Sequence, residues 1–170
     1  VSGLLQLQMY ESDDPLIHDT LEESERRIQT MALIHEQLYN SDSLGSISCD
    51  TYIGDLVETI RNTIGSNQDV NVNKNIESIE LDIKQAVPFA LLINEVVTNS
   101  FKHAFDGEND KTITIRITGK DGEVQAYLSD NGKGLPDDLD PEMSDTLGMS
   151  LIDNFAQQLE AEWEMGSDNG

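Results

Sequence analysis

A polar stripe interrupts the most apolar helix that the sequence predicts. This helix covers residues 85–105, and Glu95, Asn99 and Lys102 recur in it at i, i+4 and i+7, with Thr98 in the same sector. At about 100° per residue, the three side chains lie within about 60° of one another. Carboxylate and amide oxygens suit Mg²⁺ and an ammonium group suits phosphate, so the stripe is a candidate metal and phosphate site. The alternative is the solvated face of an amphipathic helix.

Two glycine-containing segments further along the chain could bind other parts of a phosphate-bearing ligand. Residues 130–134 (DNGKG) directly follow a predicted strand, and their glycines allow a backbone turn and close ligand approach. The aspartate can accept a hydrogen bond from an exocyclic amine. Residues 146–150 (TLGMS) open a predicted helix, whose first backbone N–H groups can bind phosphate. Taken singly, the first segment could equally be a surface turn and the second an ordinary helix start.

The elements that must position these residues predict an α+β fold. We expect an open mixed sheet with helices on one face. The Asp121-Gly122 dipeptide favours a hairpin turn between two strands. The predicted elements are helices at 52–64, 85–105 and 147–159 and strands around 70–72, 79–81, 112–118, 124–128 and 161–165.

The residues before this domain predict a helical hairpin. An apolar helix ends near Tyr10, and Asp14-Pro15 is typical of a helix start. Leu21, Ile28 and His35 then recur every seven residues, which indicates a coiled-coil-like seam. A hairpin cannot bury such a seam alone, so we expect it to pair with a second copy. The polar residues 40–46 separate the two parts, and we place the boundary between residues 42 and 43.

The composition is strongly acidic. Lys plus Arg is 10 and Asp plus Glu is 33, giving a net charge of −23. This balance excludes nucleic-acid binding through a basic patch and argues against an anionic membrane surface as partner. The acids are spread along the chain, which favours adaptation to high salt over an ordinary acidic surface. The single cysteine, Cys49, excludes an internal disulfide. With no apolar run near the roughly 20 residues of a membrane span, we expect a cytoplasmic location, with any membrane attachment in other parts of the parent protein.

The order and spacing of these segments resemble the Bergerat (GHKL) ATP-binding fold of sensor histidine kinases, type II topoisomerases, mismatch-repair ATPases and the heat-shock chaperone. Residues 94–105 (NEVVTNSFKHAF) resemble the histidine-kinase N box, Asp130-x-Gly132-x-Gly134 the G1 box, and Leu147-Gly148-Met149 the G2 box. Residues 32–39 (ALIHEQLY) are similar to the second dimerisation helix of the subfamily with the atypical phosphoacceptor helix. The resemblance covers nearly all of the chain.

For the N box, the resemblance implies a catalytic residue and several ligand contacts. Asn99 would coordinate Mg²⁺. Glu95 would be the catalytic polar group near the γ-phosphate of ATP, where it assists attack. Lys102 and His103 would contact the phosphates.

For the G1 and G2 boxes, the resemblance implies the remaining ATP contacts. Asp130 would bind the adenine amine, and Gly132 and Gly134 would let the following lid, residues 135–145, hinge. Residues 147–149 (Leu147, Gly148 and Met149) would lie against the nucleotide, with Gly148 touching its phosphates.

The implied function is that of an ATP- and Mg²⁺-dependent protein histidine kinase, the core of a two-component sensor. It would form a homodimer through the hairpin of residues 1–42 and use residues 43–170 as its ATP-binding catalytic domain. The parent protein would pass the phosphoryl group to the receiver domain of a response regulator. Two alternatives remain, namely an ATP-binding scaffold that signals by conformation without phosphotransfer, and an ATPase of the repair or chaperone branch.

Two departures from the family pattern concern the ends of the chain. The family's phosphoacceptor histidine would precede Leu4 and Leu5, and its last strand would follow residues 168–170. We therefore expect a fragment that binds ATP without labelling itself with phosphate, since His18, His35 and His103 are poorly placed as substitutes.

Overall fold

The computed structural model of the chain describes residues 2–12, 14, 17–18, 20–22, 24–26, 28–29, 32, 46–65, 69–105, 107, 110–134 and 147–167. Both helices and strands make up the described chain from residue 46 onwards, which confirms the predicted mixed α and β architecture. The elements are α1 (Ser2–Glu11), β1 (Ser46–Ser48), α2 (Cys49–Thr63), β2 (Asn71–Ile76), β3 (Glu80–Asp82), α3 (Ile83–Asn99), a π-helical turn (Ser100–Ala104), β4 (Thr112–Lys120), β5 (Glu123–Asp130) and α4 (Leu147–Gln158).

A mixed three-stranded sheet forms the frame of the domain. Its order is β2-β4-β5, with β2 parallel to β4 and β4 antiparallel to β5. The β4–β5 connection is the predicted hairpin, in which Asp121 and Gly122 both have positive φ, at 55° and 87°. Positive φ at both central residues is the geometry of a type I′ turn, for which Asp-Gly is well suited. Strands β1 and β3 pair separately as an antiparallel two-stranded sheet.

The core lies between this sheet and the helices that cover one of its faces. The isoleucines at alternate positions of β4 are buried, because one face of the strand points to the helices. The buried residues of α2 recur at helical spacing, as the sequence predicts. Helix α3 packs against both α2 and α4. Its first turn is capped by Asp82, whose carboxylate accepts a hydrogen bond from the Lys84 N–H at 2.8 Å.

The helical hairpin is described in part. Helix α1 is present as predicted, and the described residues between 17 and 32 are helical. His18 contacts the connection between the helices, with its Nε2 2.6 Å from the Ser12 carbonyl oxygen. Leu21 and Ile28 of the predicted seam are half-buried, while His35 and the dimerisation segment beyond Ala32 lie outside the described residues. Pairing with a second copy stays a prediction.

Among the described residues, no helix combines the length and the apolar character needed to cross a membrane.

The predicted strand at residues 161–165 is wrong. Helix α4 ends at a left-handed residue, Glu160, with φ 53°, and the Ala161 N–H donates to the Ala156 carbonyl at 2.9 Å. The chain then runs without strand structure, and Trp163 Nε1 lies 3.4 Å from the Asp153 carboxylate of α4. Apolar alternation favours a strand only where a neighbouring strand supplies backbone hydrogen bonds, and none of the described strands pairs with this segment.

Cys49 should be unreactive in the native protein. Its side chain is fully buried, and burial, followed by the neighbouring Asp50 carboxylate, raises the pKa of the thiol to about 11. At pH 8 we expect a thiol reagent to label the folded chain far more slowly than the urea-unfolded chain, which is the control. Because the raised pKa favours the protonated thiol in the folded state, its contribution to stability is present below the unfolded pKa near 9.0 and is lost as the pH rises towards 11. Fast labelling of the native protein would contradict this burial.

Stability should rise with salt. The chain carries 33 acidic and 10 basic residues, so most carboxylates are surrounded by like charge. Of the described ion pairs, the shortest joins Lys74 Nζ to Glu58 Oε1 at 2.6 Å. Charge repulsion is screened beyond about 3 Å at 1 M salt. We expect the melting temperature to rise by several degrees between low and molar KCl, and the rise to shrink near the pI of about 4.1, where the net charge vanishes. An unchanged or falling melting temperature would remove the high-salt hypothesis.

Candidate functional site

The end of α3 carries the polar stripe, but in a modified helix. Glu95 is buried, with 6% of its surface exposed, and Asn99 is half-buried at the last residue of α3. From Ser100 to Ala104 the chain is π-helical, with i to i+5 hydrogen bonds. The predicted single α-helix through Phe105 is therefore wrong in its last turn. The spacing of 3.6 residues per turn holds from Glu95 to Asn99 and does not extend to Lys102.

Asn99 faces the start of α4. A Cβ placed on Gly148 would lie 3.6 Å from Asn99 Nδ2, at ordinary contact distance. The glycine therefore leaves open space beside the amide. Of the neighbours of Gly148, Leu147 is exposed and Met149 is half-buried. The structure thus brings together two segments that the sequence analysis singled out separately, the stripe of α3 and the glycine-bearing helix start.

Asp130 ends β5 with a carboxylate that is held at both oxygens. The hydroxyl of Ser100 donates to Oδ2 at 2.8 Å, and the backbone N–H of Gly132 donates to Oδ1 at 3.1 Å. An ionised carboxylate only accepts hydrogen bonds, and each oxygen has two lone pairs. Its remaining lone pairs can accept from a ligand N–H.

Gly132 is where the turn after β5 touches the π-helical turn. A Cβ on Gly132 would overlap the carbonyl oxygen of Ala104 and lie 2.7 Å from its carbonyl carbon. Next to it, the Lys133 N–H donates to the same carbonyl at 2.9 Å. Only glycine permits this approach. Gly134 follows with a positive φ of 76°. A hinge at these two glycines stays a prediction, since the lid at residues 135–145 lies outside the described residues.

Asn131 is a positioning residue that the sequence analysis missed. Its Oδ1 accepts from the Thr112 N–H at 2.7 Å and its Nδ2 donates to the Asp110 carbonyl at 2.9 Å. Its own N–H donates to the Thr112 carbonyl at 3.1 Å. The side chain thereby joins the end of β5 to the start of β4 and fixes the position of Asp130. The signal was an asparagine directly after a strand, a residue type that bonds nearby backbone in turns.

Among the described residues, Lys102 and His103 take no part in the hydrogen bonds around Asp130. Lys102 is half-buried and lines a cleft of about 390 Å³ that residues of α1, α2 and the helical segment between 17 and 32 also line. His103 is exposed. The other residues of that cleft are Met9, Glu22, Glu25, Arg26, Gln29, Thr63 and Ile64. Contacts of Lys102 and His103 with phosphate stay predictions.

Together these contacts form a site that can hold a base at one end and a phosphate chain at the other. Asp130 offers an acceptor for a base amine, and the N-terminal end of α4 is the kind of helix start that can bind phosphate. The amide of Asn99 lies beside the start of α4 and is adjacent in sequence to Ser100, the donor to Asp130. In nucleotide sites Mg²⁺ commonly keeps waters and phosphate oxygens beside one or two protein ligands, and a single amide oxygen fits that pattern.

Comparison with known proteins gives two family matches. Residues 84–169 match the family described as histidine kinase-, DNA gyrase B- and HSP90-like ATPase, and residues 1–64 match a family described as histidine kinase. Sensor histidine kinase PdtaS of Mycobacterium tuberculosis is 28% identical over 153 residues, covering 89% of this chain and 30% of that protein. Blue-light-activated histidine kinase 2 of Erythrobacter litoralis is 25% identical over 142 residues, covering 81% of this chain and 41% of that protein.

A solved structure agrees with these matches. The blue-light activated histidine kinase EL346 of Erythrobacter litoralis superposes with a TM-score of 0.73 at 26% identity, covering 85% of this chain and 49% of that one. The chain therefore spans less than half the length of each of these relatives.

Proposed function

Since this chain belongs to the histidine kinase-, DNA gyrase B- and HSP90-like ATPase family, we propose that it is the ATP-binding catalytic core of a two-component sensor histidine kinase. The observation that supports this proposal is a pair of contacts at the end of α3: Ser100 donates to Asp130 at 2.8 Å, and the preceding residue, Asn99, faces Gly148 at the start of α4. The match of residues 1–64 to a histidine kinase family supports the kinase over the repair or chaperone branch.

In this proposal Asp130 recognises the adenine base. Its ionised carboxylate accepts a hydrogen bond from the exocyclic amine and would repel a carbonyl oxygen at the same position. Because Ser100 and Gly132 already hold both oxygens, the carboxylate does not need to reorganise when the base arrives. The turn thus provides a preformed acceptor at one end of the site.

At the other end of the site, the proposal assigns the phosphate chain to Asn99 and the first turn of α4. Asn99 would bind Mg²⁺ through its amide oxygen, while Gly148 leaves the room beside it. Lys102 and His103 would add positive charge or hydrogen bonds. Mg-ATP, when bound, supplies the γ-phosphoryl group. Glu95 would hold the proton of the attacking histidine, so that the protein's contribution is positioning and charge stabilisation.

The partners follow from the same proposal. The hairpin would form a homodimer, and the parent protein would transfer the phosphoryl group to an aspartate of a response-regulator receiver domain. Any membrane attachment would belong to the rest of the parent protein.

Calorimetric titration with a non-hydrolysable ATP analogue, with Mg²⁺ or with EDTA, tests the binding half of the proposal. Saturable binding that Mg²⁺ strengthens is expected, and absence of binding would contradict it. Incubation of the parent protein with γ-labelled ATP tests the transfer half. An acid-labile label that Glu95→Gln diminishes, without loss of ATP binding, is expected. Binding without any label would favour the scaffold that signals by conformation alone.

A further inference from the structure

Ser100 is a buried hydroxyl that makes no proposed contact with the nucleotide itself. Its residue is 9% exposed, and it directly follows Asn99 at the start of the π-helical turn. Its backbone N–H is held by the carbonyls of Val96 and Val97 in α3. The hydroxyl therefore projects from a fixed point on the helix, and it donates to Asp130 Oδ2 at 2.8 Å.

The Asp130 carboxylate, which accepts from this hydroxyl, can point towards a ligand only if its orientation is fixed. Asp130 is the exposed last residue of β5, so its carboxylate would otherwise rotate in solvent. The Gly132 N–H restrains one oxygen at 3.1 Å, and Ser100 restrains the other from the opposite element. Two donors on two oxygens fix the plane of the carboxylate. One lone pair on each oxygen then remains for a ligand.

We propose that Ser100 is a positioning residue that orients the Asp130 carboxylate towards the exocyclic amine of a purine base. This inference rests on the proposed ATP-binding function. Because Ser100 adjoins Asn99, one rigid helix end sets both the acceptor for the base and the amide that faces α4. Ser100 acts through Asp130, so removing its hydroxyl weakens recognition of the amine and leaves the rest of the nucleotide contacts in place.

The test compares two ligands in wild type and Ser100→Ala. One ligand is a non-hydrolysable ATP analogue, and the other is the matching purine riboside analogue, which lacks the 6-amino group. Calorimetry should show an approximately 5- to 20-fold loss of affinity for the ATP analogue in Ser100→Ala, since hydrogen bonds to charged groups are the stronger class. The loss for the purine riboside analogue should stay below about 2-fold.

Ser48→Ala is the matched control. Ser48 also donates to an aspartate, Asp50, at 2.5 Å, but lies in β1 outside the site. It should leave both affinities unchanged. Ser100→Cys keeps a weak donor of similar size and should show a smaller but equally selective loss. If Ser100→Ala does not fold, Ser100→Cys replaces it in the test.

The outcomes separate this inference from the function on which it rests. Equal losses for the two ligands would show that Ser100 only stabilises the fold, and an unchanged affinity for the ATP analogue would show that it has no role. Either result overturns the inference alone. If wild-type protein does not discriminate between the two ligands, the assignment of Asp130 to the amine fails, and the inference fails with it.

Discussion

We expect Asp130→Asn to lower the affinity of the chain for ATP by roughly 10- to 100-fold. The carboxylate accepts hydrogen bonds from Ser100 and from the Gly132 N–H, one at each oxygen. An asparagine has one acceptor oxygen and one NH₂ group. If its oxygen accepts from the Gly132 N–H, its NH₂ group donates to the Ser100 hydroxyl, and the N–H that remains faces the base amine, which is itself a donor. Hydrogen bonds to charged groups contribute about 1.5–3 kcal/mol, and 1.4 kcal/mol is tenfold in affinity.

The same titrations also test the proposed contact between Asn99 and Mg²⁺. In Asn99→Ala the affinity should become insensitive to Mg²⁺, while the wild type binds more tightly with Mg²⁺ than with EDTA. Asn154→Ala is the matched control, because Asn154 is exposed on α4 and its side-chain amide donates to the Ser150 carbonyl of the same helix at 2.6 Å. Equal affinity in wild type and Asp130→Asn would refute the base contact. Undiminished Mg²⁺ dependence in Asn99→Ala would refute the metal contact.

Gly132→Ala should abolish tight ATP binding and destabilise the fold by about 1–3 kcal/mol. The added Cβ would overlap the Ala104 carbonyl oxygen, which is backbone and cannot rotate away. The turn must then lift from the π-helical turn. This movement breaks the hydrogen bond from the Lys133 N–H to Ala104 and draws the Gly132 N–H away from Asp130. Urea unfolding and the ATP titration measure the two effects.

Gly54→Ala is the same chemical change, but it should stabilise the fold. Gly54 lies within α2, and no atom lies within 4 Å of the Cβ that alanine would add. Alanine there removes the backbone freedom of glycine in the unfolded chain, and stabilisation by up to about 1 kcal/mol is expected. ATP affinity should not change. A Gly132→Ala protein as stable and as tightly binding as the wild type would show that the close approach to Ala104 has no consequence.

Where a local pattern fixed the outcome, prediction from the sequence succeeded. The Asp121-Gly122 turn needs only two adjacent residues that tolerate positive φ, and the hairpin forms there. The alternation around Ile115 and the helical spacing around Ile53 each place one face against the core, and both are buried as expected. The strand predicted around Trp163 failed, because alternation describes a face and does not supply a partner strand. Local spacing also failed beyond Asn99, where the helix widens.

By itself, the sequence determined the α+β architecture and the identities of the residues with candidate chemistry, because periodicity, turn residues and short spacings are local properties of a chain. The family came from the resemblance of three motifs to the N, G1 and G2 boxes. Only the tertiary structure decided how these residues meet. The hydroxyl of Ser100 reaches Asp130 because a π-helical turn and the end of β5 lie side by side, at a sequence separation of 30 residues. Gly132 must be glycine because the Ala104 carbonyl occupies the space of a side chain. Such contacts depend on how separate elements pack, and no local pattern encodes that packing.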